Sequence, residues 1–433
     1  MASAHADRPG IAAAPAARES SARKIFWITW LGWMLDSFDI GIYIFILVPA
    51  LTELLKLEGM EVSRANIALY GGYLFTAFML GWACSMFWGW LADRIGRVKV
   101  MCITILVYSV FTGLCGLATG LLSFAIFRFF AGFGVGGEWA AGTPLLQETV
   151  DEQHRVRLAG WLHTATPVGF MLGSIASFLI PVIGWRGMFF LGVLPALLTV
   201  AIRLTVHEPP KWKNAVQKPN QTSIRDMFLG AYARNTWAAG LMLSCMILGL
   251  WSSTFWAPTL IVSRLSETGW TAAEAQRMAA WAGVLINIGT LAGCLGMPFI
   301  ATWIGKRRTT AAVFFLGSLA INLLAYAGAV LWLGNIILFI ALLPLLGLFT
   351  NGVFALTTIW LPEMFPTSQR ALGAGFAFSF GRLLGAIGPT IVGTLVVATG
   401  SYPTALAAVS AIYLIGLPFI LLAPETAGKE LPA

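Results

Sequence analysis

Long apolar runs alternate with short polar breaks along this chain, and the breaks hold most of its charge. The runs fall at about 25–51, 67–91, 100–119, 121–148, 158–183, 186–206, 235–263, 275–303, 310–330, 335–361, 371–396 and 402–422. Each is long enough for a bilayer crossing, which takes roughly 20 mostly apolar residues in a helix. The one long polar interruption, 207–234, follows the sixth run. The pattern predicts an all-α membrane protein with twelve transmembrane helices in two six-helix bundles, 25–206 and 235–423. A disordered tail (1–24), a cytoplasmic linker (207–234) and a short end segment (424–433) complete the plan. The first run contains acids and is followed by no small-residue cleavage site, so it reads as a helix and not a signal peptide.

Composition agrees. Of 433 residues, 58% are hydrophobic and 11% charged, with a mean hydropathy of +0.80; soluble domains carry about 25% charged residues. A net charge of +8 in a soluble protein would suggest a nucleic-acid partner. Here its distribution explains it. With the N-terminus inside, the cytoplasmic segments hold 19 of the 27 Lys and Arg, and the outer loops hold five (Lys56, Arg64, Arg186, Arg264, Arg277). That bias places both termini in the cytoplasm and leaves no role for nucleic acid. The five cysteines all lie in apolar runs without paired spacing, so neither a metal site nor a disulfide framework is expected.

The two halves echo one another. "QETVDEQHRVRLAG" (147–160) aligns with "PEMFPTSQRALGAG" (362–375) at an offset of 215, setting Glu148 on Glu363, Arg155 on Arg370 and Gly160 on Gly375. Repeated halves with a binding site near the midplane between them are the architecture of many secondary transporters.

Several motifs also carry a family resemblance. "GWLADRIGRVK" (89–99) resembles the loop 2–3 signature of the major facilitator superfamily, and "RFFAGFGVGGEW" (128–139) resembles its fourth-helix motif. "HEPPKW" (207–212), "PEMFPTSQRALG" (362–373) and "APETAGKELP" (423–432) are similar to signatures shared by its sugar-porter and organic-acid:proton symporter branches. "WLGWMLDSFD" (30–39) is most similar to the sialate and lactate proton symporters, and "GRLLGAIGP" (381–389) leans toward the aromatic-acid symporters. The resemblance spans nearly the whole chain. It implies rocker-switch alternating access, and for Asp93, with Arg94 and Arg97 on the same loop, a conformational latch at the inner face. The second-half loop "TWIGKRRT" lacks the matching acid, so that gate should be lopsided.

Other motifs have plainer readings. Gly132, Gly134 and Gly137 satisfy GxGxxG, but inside an apolar helix they read as close helix packing and not as a dinucleotide fingerprint. Of four histidines only His163 lies in a helix, where a hydrogen-bonded structural role is favoured over a substrate or proton role. With no nucleophile–base pair and no metal cluster, neither an enzyme nor a cofactor is expected. Glu148 with Arg155, and Glu363 with Arg370, occupy equivalent inner ends and read as paired gate clasps.

Besides Arg203, which lies in the sixth run, five charges are expected to be buried within helices: Asp36, Asp39, Arg128, Glu138 and Arg382. A central Asp or Arg costs about 2.5–3.5 kcal/mol on insertion scales, so such residues face the bundle interior and serve pairing or transport. At the 215 offset Arg128 falls on Leu343, Glu138 on Val353 and Arg382 on Pro167. The asymmetry suggests division of labour between halves. Asp36 and Asp39, spaced i,i+3, share a helical face. Two carboxylates in low dielectric cannot both ionise cheaply, so Asp36, Asp39 and Glu138 are the expected proton-coupling acids. Three acids against two arginines leave −1 when empty and zero with one proton, a charge balance that admits an anion after a proton.

Arg128 and Arg382 offer planar forks suited to a carboxylate. Arg382, with no acid in its own half's membrane segments, is the expected clamp, and Arg128 is expected chiefly to neutralise Glu138 or an aspartate of helix 1. Trp251 and Trp256 in helix 7, Asn287 in helix 8 and Asn351 in helix 10 complete the expected substrate set. Helix 7 lacks the amides that a sugar pocket would be expected to show. The expectation is proton-coupled symport of a small organic monocarboxylate, with an aromatic acid or an acidic sugar both fitting. The alternative is a carrier of a neutral or cationic solute. A single functional copy in a bacterial inner membrane completes the reading.

Overall fold

The computed structural model describes residues 15–149, 161–197, 224–366 and 370–428. Twelve helical crossings follow one another. In the first half α1 is Pro15–Leu57, α2 is Arg64–Ala83 continuing as Ser85–Ile95, α3 is Arg97–Cys115 and α4 is Leu121–Thr149. Helix α5 begins at Trp161, and the apolar stretch Trp161–Leu191 then turns at Gly184 into α6, described to residue 197. Gly184 has φ 67°, a left-handed conformation that costs an L side chain energy and glycine little. In the second half α7 is Ala233–Thr254 and Ala257–Glu267, α8 is Ala272–Ile304, and α9 is Arg307–Asn322 continuing as a π-helix, Leu323–Trp332. Then come α10, Ile336–Glu363, α11, Arg370–Gly385 and Gly388–Thr399, and α12, Tyr402–Val409 and Ile412–Leu422.

These bounds follow the apolar runs to within a few residues, with two differences. Helix α1 reaches back to Pro15, so residues 15–24, expected as disordered tail, are helical; the run AARESSAR contains no glycine or internal proline to stop it. A short helix, Ile224–Leu229, also forms within the segment expected as plain linker.

Small residues set the packing. A Cβ on Gly132 would lie 2.0 Å from the Phe78 carbonyl oxygen, and one on Gly137 would lie 2.1 Å from the Thr104 methyl. The glycine-rich run of α4 therefore exists to let α2 and α3 approach it. The same device recurs in the second half, where a Cβ on Gly289 would lie 1.8 Å from the Pro344 carbonyl oxygen, joining α8 to α10.

The halves meet along two seams, α2 against α11 and α5 against α8. At the first seam Thr76 donates to the Ala386 carbonyl at 2.6 Å and lies 2.8 Å from the Thr390 hydroxyl. At the second, a Cβ on Gly283 would meet the Ser174 hydroxyl at 2.5 Å. Near the outer ends Gln276 donates to the Phe45 carbonyl at 2.9 Å, and Arg64 pairs with Glu267 across the halves. Rings close the same region. Phe75 of α2 stacks on Phe255 of α7 at 4.2 Å, with Tyr43 of α1 6.1 Å from Phe255. The outer mouth is shut.

Candidate functional site: a cavity between the halves

A cavity of about 190 Å³ lies between the two seams, with walls from both halves. A dry apolar cavity of about 150 Å³ accommodates benzene, so the volume suits one ring with a small substituent. Aromatic rings stand in both walls: Trp33, Phe45, Trp82 and Phe170 come from the first half, Trp251, Phe354 and Phe378 from the second. Two lining residues carry a formal charge, Asp36 from α1 and Arg382 from α11.

Arg382 is 6% exposed. Its guanidinium carbon sits 4.7 Å from the ring centre of Trp82 and 5.5 Å from that of Phe378. A cation over ring faces keeps part of its electrostatic stabilisation in a low-dielectric site. Because Trp82 belongs to α2, this contact reaches from the second half into the first.

Asp36 and Asp39 part company. Three residues advance a helix by 300°, leaving 60° between the two side chains. Asp36 faces the cavity, while Asp39 turns into the first bundle with no exposure at all. There its Oδ2 lies 3.6 Å from Arg128 Nη1, beyond ordinary hydrogen-bond length. Arg128 is equally buried and lies 4.1 Å over the Tyr43 ring and 4.3 Å over the Phe78 ring. None of its three nitrogens makes a direct hydrogen bond.

The expected site residues therefore divide. Asp36, Arg382, Trp251, Asn287 and Asn351 line the cavity. Arg128, expected to hold substrate, lies outside it, enclosed by the Asp39 carboxylate and two rings. Trp256 is also outside: fully buried against Gly71 and 5.6 Å from Tyr402, it forms part of the outer seal. His163, read as structural, lines the cavity and packs edge-on to Trp33 at 5.5 Å. Trp82 was not singled out from the sequence, although a tryptophan in the run "YLFTAFMLGWA" of a seam helix was the available signal.

At the inner face the clasp Glu363–Arg370 does not form. Glu363 pairs instead with Arg307 at the start of α9, at 2.9 and 3.1 Å, and accepts from Thr426 at 2.5 Å. Arg370 donates to the Pro362 carbonyl at 2.9 Å. The shared offset had masked a nearer partner: the basic start of α9 lies beside the end of α10, and the segment after α12 joins them. Glu425 there accepts the backbone N–H groups of Arg307 and Arg308 at 2.8 and 3.1 Å, capping α9. Arg94 lies 4.0 Å over the Trp90 ring, and Arg97 is half-buried. The side chains of Asp93, Glu138 and Glu148, and the whole of Arg155, lie outside the described residues.

Residues 29–333 match the family described as the Major Facilitator Superfamily. The niacin transporter NiaP of Acinetobacter baylyi is 28% identical over 94% of this chain and 95% of its own length. The sialic acid transporter NanX of Escherichia coli is 27% identical over 85% of this chain and 86% of its own. Among solved structures, a D-xylose-proton symporter superposes with a TM-score of 0.72 at 19% identity, over 95% of this chain and 100% of that one. That likeness is one of fold.

Proposed function

We propose, because the chain belongs to the Major Facilitator Superfamily of membrane transporters, that it carries a small organic monocarboxylate together with a proton. It is a multi-pass integral membrane transporter and not an enzyme. The observation that carries the finer reading is the placement of Arg382 in the wall of a ring-lined cavity between the halves, opposite the half that contributes Asp36. A guanidinium fork binds a carboxylate by two parallel hydrogen bonds, stronger than neutral ones. Relatives named for niacin and for sialic acid support the same class.

In this mechanism the proton comes first. Asp36, Asp39 and Glu138 of the first half, set against Arg128 and Arg382, leave one negative charge, and one proton on the acids brings the site to neutrality. Asp39 lies within 3.6 Å of Arg128, so protonating it removes the partner of a fully buried guanidinium. Arg128 rests on Tyr43, and Tyr43 packs on Phe255 of the second half. Loading the proton thereby bears on the rings that shut the outer mouth. The acid then binds at Arg382, the halves rock, and both ligands leave inward. Asp93, Arg94 and Arg97 in the first half, and the Glu363–Arg307 and Arg370–Pro362 contacts in the second, serve as inner-face latches. One chain in a bacterial inner membrane suffices for this cycle.

A second reading, a neutral or cationic solute with Asp36 as counter-ion, draws on the presence of that carboxylate in the same cavity. Calorimetric titration of the purified protein separates the two. Niacin is expected to bind more tightly than its neutral amide, and Arg382→Lys is expected to erase most of that preference. Equal affinity of the wild-type protein for acid and amide would reject the carboxylate reading.

A further inference from the structure

Hydrogen-bond accounting gives three of the five hydroxyls in the cavity wall a direction. Thr254 of α7 donates to the Leu250 carbonyl at 2.8 Å, Thr290 of α8 to the Ile286 carbonyl at 3.0 Å, and Ser174 of α5 to the Phe170 carbonyl at 2.8 Å. A hydroxyl has one proton and two lone pairs. Each of these three protons is already committed to the carbonyl one turn back, a local bond that Ser and Thr commonly make in helices. What remains for a ligand is acceptance. Asn287 donates one amide N–H to the Gly283 carbonyl at 2.8 Å, which fixes the flip and leaves the Oδ1 oxygen, with the second N–H, for a ligand. All four residues line the cavity.

Ser174, Asn287 and Thr290 cluster on one side. Ser174 and Gly283 touch at the α5–α8 seam. Asn287 and Thr290 follow Gly283 along α8, one and two turns on. Arg382, a pure donor, belongs to the other seam, where it lies over Trp82 of α2. The cavity therefore has a donor wall at α2–α11 and an acceptor wall at α5–α8, joined by aromatic rings.

We infer that the substrate, if the carboxylate reading above holds, is a hydroxy- or amino-substituted acid: a carboxylate at Arg382 and, across its ring, an O–H or N–H donor received by Thr254, Thr290 and Asn287. A ligand donor can be accepted there while each hydroxyl keeps its bond to the helix. A ligand acceptor could be served by Thr254 or Thr290 only by giving that bond up. Thr254, Thr290 and Asn287 are thus specificity-determining residues, and their effect falls on one functional group of the substrate.

The test compares isosteres. Benzoate, 4-fluorobenzoate, and 3- and 4-hydroxybenzoate are titrated into the full-length protein by calorimetry. The fluoro acid matches the hydroxy acid in size and lacks the donor. The better hydroxy acid is expected to bind roughly three- to tenfold more tightly than the fluoro acid, the range for one neutral hydrogen bond. Thr290→Val and Thr254→Val should reduce that ratio, weakening the hydroxy acid more than 4-fluorobenzoate, whereas Thr290→Ser, which keeps an acceptor oxygen, should retain it. Equal affinity for fluoro and hydroxy acids would overturn the inference, as would threonine variants that weaken both equally. If the acids bind no better than their amides, the carboxylate reading fails, and this inference with it. Tight fluorobenzoate binding without a hydroxyl preference would overturn this inference alone.

Discussion

The two halves solve the problem of a polar interior differently. Among the described residues of the second half, the buried polar groups other than Arg382 are neutral, and several are tied to backbone. Tyr326 donates to the Ser253 carbonyl at 2.7 Å, and Asn322 to the Ser318 carbonyl at 2.7 Å. The position matching Arg128 is Leu343, fully buried among apolar neighbours. The first half instead encloses a full ion pair, Arg128 and Asp39, 3.6 Å apart with no direct hydrogen bond between them. A neutral internal hydrogen bond contributes about 1 kcal/mol. Burying an ion costs several kcal/mol, which the pair's attraction offsets fully only with excellent geometry and further hydrogen bonds. This pair has neither. One half is built to hold still, and the other keeps a charge pair that stability alone would not select.

The largest test of that contrast removes one member of the pair. Arg128→Gln leaves Asp39 buried beside a neutral group and should destabilise the protein by about 3–5 kcal/mol, read as a lowered midpoint in thermal or denaturant unfolding. Asp39→Asn combined with Arg128→Gln should recover most of the loss. A single variant as stable as the wild type would mean the pair is already solvated.

Next in size is Arg382→Lys, which keeps the charge and loses the fork. Charge-assisted hydrogen bonds contribute about 1.5–3 kcal/mol, so carboxylate affinity should fall roughly tenfold or more while the unfolding midpoint stays near that of the wild type. Unchanged affinity for the acid would remove Arg382 from the site.

In the second half, Tyr326→Phe removes only a hydroxyl. Its acceptor, the Ser253 carbonyl, lies where α7 breaks before Ala257 and Pro258, so no full helical turn replaces the lost donor. A loss of about 0.5–1.5 kcal/mol is expected, smaller than for Arg128→Gln. A larger loss than at Arg128 would reverse the comparison.

The smallest effect belongs to Glu425, outside the membrane. Partial burial alone would raise its carboxyl, but the backbone amides of Arg307 and Arg308 outweigh that and hold it below its ordinary value of 4.5. A lowered folded-state value means its stabilisation is present at neutral pH and fades as pH falls below the unfolded value. Glu425→Gln should cost under about 1 kcal/mol at pH 7, and the gap to the wild type should close as pH falls below 4.5. A gap that widened on acidification would contradict the capping role.

Much of this was legible in the sequence. Hydropathy gives the twelve helices because a bilayer demands unbroken apolar length. Arg382, Asp36, Asn287, Asn351 and Trp251 line the cavity because polar and aromatic groups at mid-helix have few other places to face. What spacing could not resolve is direction. Sixty degrees of arc separates Asp36 from Asp39, and only the packed structure decides which of them meets the cavity. Arg128 reads from the sequence both as a fork and as the partner of Glu138 or a helix 1 aspartate; it lies beside Asp39, enclosed by the rings of Tyr43 and Phe78, partners that come from other helices. The repeat likewise paired Glu363 with Arg370, whereas the side chain that reaches it, Arg307, comes from the start of α9 and has no counterpart in that alignment. A seam residue such as Trp82 becomes visible only when two halves are brought together.

The central claim is that the charged first half loads a proton while Arg382 in the second holds the acid. Uphill uptake of a labelled aromatic carboxylate into proteoliposomes, with and without an inward proton gradient, tests it most directly. Wild-type protein should accumulate the acid above its outside concentration only when the gradient is present. Asp39→Asn should lose that accumulation and still exchange labelled for unlabelled acid at equilibrium. Accumulation by Asp39→Asn and Asp36→Asn alike, at the wild-type level, would contradict the account.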